Sequence, residues 1–152
     1  MENLSVSFRK LKQQHSLFLL ALFCMLAGGI VFIVSAGAID NNIELDRILQ
    51  LVAVLDTVAS LLLGFNIFRK KMMQARNYEG SETTRFALYR TACTVWWAMI
   101  FVPGLLGMLF FVITGSYSFV ALAVVHLLIL LAFMPRKDNI TVLLRFSAGS
   151  LD

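Results

Sequence analysis

The sequence predicts an all-α integral membrane protein: a four-transmembrane-helix antiparallel bundle in a single domain, with a short cytoplasmic helical hairpin between helices 2 and 3. Three observations predict it. Hydrophobic residues make up 59% of the chain and charged residues 14%, against about 45–50% and about 25% in soluble domains. The apolar residues are gathered in runs, and about 20 such residues cross a bilayer core. The basic residues sit just outside those runs, as a topology signal does. The formal charge of +4 is therefore no nucleic-acid footprint, and the partner it points to is the lipid bilayer.

The first span covers residues 17–38, inside a stretch from 16 to 39 with no charge. That run is too long for the core of a cleaved signal. Ahead of it, Leu4, Phe8 and Leu11 recur at helical spacing beside Arg9, Lys10 and Lys12. The pattern suits a short interfacial helix on an anionic leaflet, or equally a frayed tail. Ala21, Gly28 and Ser35 recur every seven residues. Lipid offers no hydrophobic drive for helix association, so small residues that admit a close backbone define the expected packing face. Asp40-Asn41-Asn42 then supplies a polar turn.

The second span, residues 48–68, holds a single charge, Asp56. At about 100° per residue, Ala53, Asp56, Thr57, Ser60 and Gly64 share one sector of about 100°. Leu55, Leu61, Leu62 and Phe65 lie largely away from it, toward lipid. Arg69-Lys70-Lys71 ends the span, but nothing breaks the helix before Asn77. Glu79-Gly80-Ser81 is the break, with Ser81 placed to cap a following helix through Arg85 and Tyr89. Arg69, Lys70, Lys71, Arg76, Arg85 and Arg90 give this hairpin a cytoplasmic basic patch.

No Asp, Glu, Lys or Arg occurs between Arg90 and Arg136. One helix of that length would reach roughly 68 Å, about twice a bilayer core. The run must fold back, and Thr114-Gly115-Ser116 is its turn-like cluster, giving spans at 91–113 and 117–134. Trp96 and Trp97 fall near the basic end of the third span, where amphipathic rings favour the interface. Pro103 is expected to kink that helix, and Gly104 and Gly107 to admit a neighbour. Pro135 closes the fourth span. Beyond it Ile140, Leu143 and Leu144 have helical spacing, while Ile140, Val142, Leu144 and Phe146 alternate as a strand would. The slight preference is for a short interfacial helix started by Asp138 or Asn139. Every basic residue but Arg47 lies in the two tails or the central hairpin. The positive-inside rule puts both termini in the cytoplasm, with a bacterial inner (plasma) membrane as the expected location.

Two residues carry the candidate chemistry. Asp56 lies about eight residues from the outer end of its span and His126 about nine from the outer end of its own. Both are then roughly 12–14 Å deep at 1.5 Å per residue. Such a carboxylate–imidazole pair binds a cation or exchanges a proton near neutral pH. The plainer alternative is that Asp56 bonds Thr57, Ser60 or backbone and serves packing alone, with His126 a structural histidine. Cys24 and Cys93 lack metal or redox spacing and read as small buried hydrophobes. No cofactor, metal site or enzymatic constellation is expected. Two function classes remain: an oligomeric transporter or pore for an ion, proton or small solute, and a non-catalytic accessory subunit of a larger membrane complex. The first implies a homo-oligomer, the second other membrane subunits.

Overall fold

A computed structural model describes residues 4–36 and 43–146, and among them all regular structure is helical. The helices are α1 (Leu4–Ala36), α2 (Ile43–Asn77), α3 (Glu82–Thr114), α4 (Tyr117–Ala132) and α5 (Lys137–Leu144). The polar turn expected at Asp40-Asn41-Asn42 lies outside the described residues. With 33, 35 and 33 residues, the first three helices are each about 50 Å long, well beyond a ~30 Å hydrocarbon core. These three are long and apolar enough to span a membrane, whereas α4 qualifies only together with α5, across a 65° bend.

Each helix end has a local cause. The Ser81 hydroxyl accepts from the Thr84 amide at 3.3 Å, satisfying one of the free donors at the start of α3. Gly115 adopts φ 68° and its N–H donates to Phe111 O at 2.7 Å, so α3 closes in the left-handed conformation glycine tolerates best. In the tail, helical spacing prevails over strand alternation because Ile140 and Leu144 share the buried face of α5. α1 is continuous from Leu4, so the N-terminal segment is neither a separate interfacial helix nor a frayed tail. No glycine or proline interrupts it before Gly28, and Phe8 and Leu11 are buried in the bundle.

α3 is the central element, packed on α1, α2 and α4, while α4 also adjoins α1 and touches α2 over a short length. Two apolar clusters form the core. One joins the starts of α1 and α3, the ends of α2 and α4, and α5, around Phe8, Leu11, Ala75, Phe86, Trp97 and Ile140. The other joins the opposite halves of α1–α4, around Ala53, Met108, Phe111, Phe119 and Ala123.

Two side-chain expectations are corrected. Trp96 and Trp97 are not at a lipid interface but buried, at 3% and 1% exposure. Trp96 packs on Phe65, Phe68 and Phe133, and Trp97 on His15 and Phe18. Their large apolar area fills the basic half of the core, an alternative to anchoring that sequence position alone does not distinguish. Cys24 is exposed on α1, and only Cys93 is buried. α3 continues through Pro103, which is buried within it.

Candidate functional site: a buried polar pair between α2 and α4

The site begins with glycines. A Cβ on Gly104 would lie 3.2 Å from His126 Cβ and 3.1 Å from Leu22 Cδ1. One hydrogen side chain on α3 therefore lets α4 and α1 close around it. At Gly107 the added atom would meet only Phe119 O, at 3.5 Å, an ordinary contact. On α2, Ala53, Thr57 and Gly64 are buried, and a Cβ on Gly64 would come within 2.8 Å of Met99 Cβ and 3.1 Å of the Trp96 ring. Ser60 and Asp56 are half-buried on the same helix, while Leu55 and Leu62 are 60% and 68% exposed.

On α1 the contacts fall on a different face from the expected seam. Ala21, Gly28 and Ser35 are exposed, and a Cβ on Gly28 would meet nothing within 4 Å. The helix packs instead through Phe8, Leu11, His15, Leu22 and Leu26. Gly29 takes the close approach, with an added Cβ 2.6 Å from Met108 Cε. One residue is about 100° of rotation, enough to move a seven-residue repeat from inside to outside.

His126 is fully buried. Its Nδ1 lies 2.8 Å from Leu122 O, one turn back on α4. A carbonyl only accepts, so Nδ1 carries the hydrogen and Nε2 of the neutral ring presents a lone pair. That Nε2 is buried without a hydrogen-bond partner, and so is Oδ2 of Asp56. The Asp56 carboxylate is near enough to act electrostatically on the imidazole. With both groups deprotonated, two acceptors are buried with nothing to accept. The two atoms do not bond each other as they stand, so closer approach with one proton on either group, or a small cation between them, would satisfy both. Two ligands fall short of the four of a structural zinc site, and no group of three or more metal-binding side chains occurs among the described residues.

The pair lies beside a polar seam that sequence reasoning missed in part. Asp46, Gln50, Ala53, Thr57, Ser60 and Gly64 follow at intervals of four, three, four, three and four on α2. Gln50 Nε2 donates to Asp46 Oδ2 at 2.9 Å and to Ser116 Oγ at 3.4 Å. Asp46 Oδ1 and Thr57 Oγ1 are buried and unpartnered. The signal was available: Gln50 continues, one turn after Asp46, the line of small and polar residues. Past Gly64 the seam ends against aromatic rings, with Trp96 centred 5.9 Å from Phe68 and 5.2 Å from Phe133.

The basic residues divide. Arg69, Lys70 and Arg76 are exposed, while Lys71, Arg85 and Arg90 are half-buried. Arg85 leaves the expected solvent-facing edge for an internal role: Nη1 donates to Leu144 O at 2.8 Å and Nε to Tyr78 O at 3.2 Å. It ties the hairpin to the end of α5. His15, the other histidine and one the sequence alone does not single out, donates from Nε2 to Leu130 O at 2.9 Å and meets Trp97 edge-on at 4.9 Å. Comparison with protein family models, curated proteins and solved structures returns no match for this chain, so the chemistry of the site rests on its own residues.

Proposed function

We propose that this chain is a small membrane transporter that passes a proton, or a small cation in its place, through Asp56 and His126. The observation that carries the reading is the pair of buried, unpartnered acceptors on two helices, in a setting where an ionisable group marks an ion or proton path by default. Asp46, Gln50, Thr57 and Ser60 give access from the end opposite the basic hairpin, because orphaned polar atoms there hold water that an apolar lining does not. The Trp96, Phe68 and Phe133 rings close the other end. α4 completes a fourth crossing, and the distribution of basic residues sets both termini in the cytoplasm of a bacterial inner membrane. Copies assemble as a homo-oligomer, since four helices enclose little pathway alone.

The test is pH-dependent flux in proteoliposomes. Asp56→Asn keeps size and hydrogen-bonding capacity while removing the titrating charge, so it leaves folding intact and abolishes flux. Unchanged flux and pH dependence in that variant end the transport reading. A second reading, an accessory subunit, draws on the exposed Arg69, Lys70 and Arg76, which suit an acidic partner. Isolation in mild detergent separates the two: a homo-oligomer supports transport, and a stoichiometric co-purifying partner supports the subunit.

A further inference from the structure

The outward face of α1 carries a feature that neither transport nor subunit assembly uses. Arg9, Lys12, Gln13 and Ser16 recur at i, i+3, i+4 and i+7, and with Leu17 and Leu20 they line a groove of about 540 Å³. A second groove, about 450 Å³, runs between α1 and α4 along Ser16, Leu19, Leu20, Phe23, Leu127 and Leu131. The two share Ser16 and Leu20, so they form one track, polar and cationic at its mouth and wholly apolar beyond. Between Leu4 and Ala36 there is no Asp or Glu to neutralise the cations. Among the described residues, Arg9 and Lys12 are exposed and make no ion pair.

We infer that this track is a binding site for one anionic phospholipid, with its phosphate held by Arg9 and Lys12 and one acyl chain lying between α1 and α4. Depth agrees with the chemistry. The uncharged stretch of α1 begins at Ser16, and at 1.5 Å per residue Lys12 and Arg9 lie roughly 6 and 10 Å beyond it. The polar headgroup layer is about 5–8 Å thick on each side. Arg9 and Lys12 thus reach a phosphate from either side of that layer. Gln13 and Ser16 add donors for its ester or glycerol oxygens. A zwitterionic lipid offers the same chains but brings its own cation to the mouth, so the site favours net negative charge.

Native mass spectrometry of the full chain in detergent, titrated with phosphatidylglycerol, phosphatidylcholine or glycerol phosphate, tests the site. One phosphatidylglycerol is expected to remain bound, with phosphatidylcholine and glycerol phosphate each at least tenfold weaker. An Arg9→Gln/Lys12→Gln double variant loses about thirtyfold in phosphatidylglycerol affinity, the sum of two basic contacts. A Lys70→Gln/Arg76→Gln variant, with the same change in net charge, retains it. Leu20→Trp fills the groove without touching charge, lowers affinity for both lipids, and serves alone should the first variant fail to accumulate. Equal losses in the two charge variants reduce the effect to general electrostatics and overturn the site. Equal affinity for the two lipids, glycerol phosphate as tight as phosphatidylglycerol, or no effect of Leu20→Trp does the same.

Discussion

Asp56 in a membrane helix costs about 2.5–3.5 kcal/mol on insertion scales, and its unpartnered Oδ2 leaves that cost only partly offset. His126, with Nδ1 committed to Leu122 O, has one nitrogen left to act. If the two share one proton, removing either disables the same step, and effects on one step do not add. In pH-dependent liposome flux, Asp56→Asn, His126→Ala and the double variant should therefore fall to nearly the same level. A double variant slowed by the full product of the two single losses would show independent roles. Depth counting puts these residues at one level because helical rise is fixed, and the electrostatic action of Asp56 on His126 is consistent with it. His15 was not legible in the sequence. A polar residue near the end of an apolar run looks the same whether it faces water or, like His15, donates across the bundle to Leu130 O.

Among the elements, α2 and α1 show how far small residues can be read. The polar and small sector of α2 stood out because bulky residues flank it, and Ala53, Thr57 and Gly64 lie buried there. In the part of α1 beyond Ser16 nearly every residue is apolar, so a period of seven fixes the spacing but not the rotation. Gly28 faces out while Gly29 meets Met108. Gly64→Leu is accordingly expected to cost about 3 kcal/mol by overpacking against Met99 and Trp96. Gly28→Leu should leave monomer stability unchanged or raise it by up to about 1 kcal/mol, from helix propensity. Thermal unfolding in detergent measures both. Gel filtration of the Gly28→Leu protein then asks whether the outward small face joins copies, since loss of an oligomer with a stable fold is the outcome that face predicts. Helix ends were the most legible elements: Ser81 and Gly115 act through local chemistry, which needs no tertiary information. Tertiary packing chose the helix at 137–144, where eight residues fit two periodicities.

For the whole molecule, the clusters at the two ends of the bundle are unequal. The basic end gathers α5, the start of α1 and the hairpin around Phe86, Trp97 and Ile140. The other end carries Glu44, Asp46 and Arg47 at the start of α2. Charge asymmetry predicts which end faces the cytoplasm, and cysteine labelling of intact cells checks it. An impermeant maleimide should modify Glu44→Cys and spare Gln74→Cys, both at exposed positions. The reverse pattern inverts the protein. The length of α2 was foreseeable from the missing breakers before Asn77, but the continuity of α1 and the central place of α3 were not. Its composition differs little from that of α1, and which helix is surrounded depends on the pairing of faces.

The length of α4 has a consequence for the lipid around it. Its 16 residues measure about 24 Å, roughly 6 Å short of an ordinary hydrocarbon layer. If α4 makes the proposed fourth crossing, acyl chains beside it must compress to meet its ends, a deformation costing fractions of a kcal/mol per Å. The membrane is then thinnest beside the outer face of α4, and the dielectric barrier that Asp56 faces is correspondingly lower. A dimple of this kind draws headgroups and water toward mid-depth, so the bilayer itself lowers the work of charging the pair.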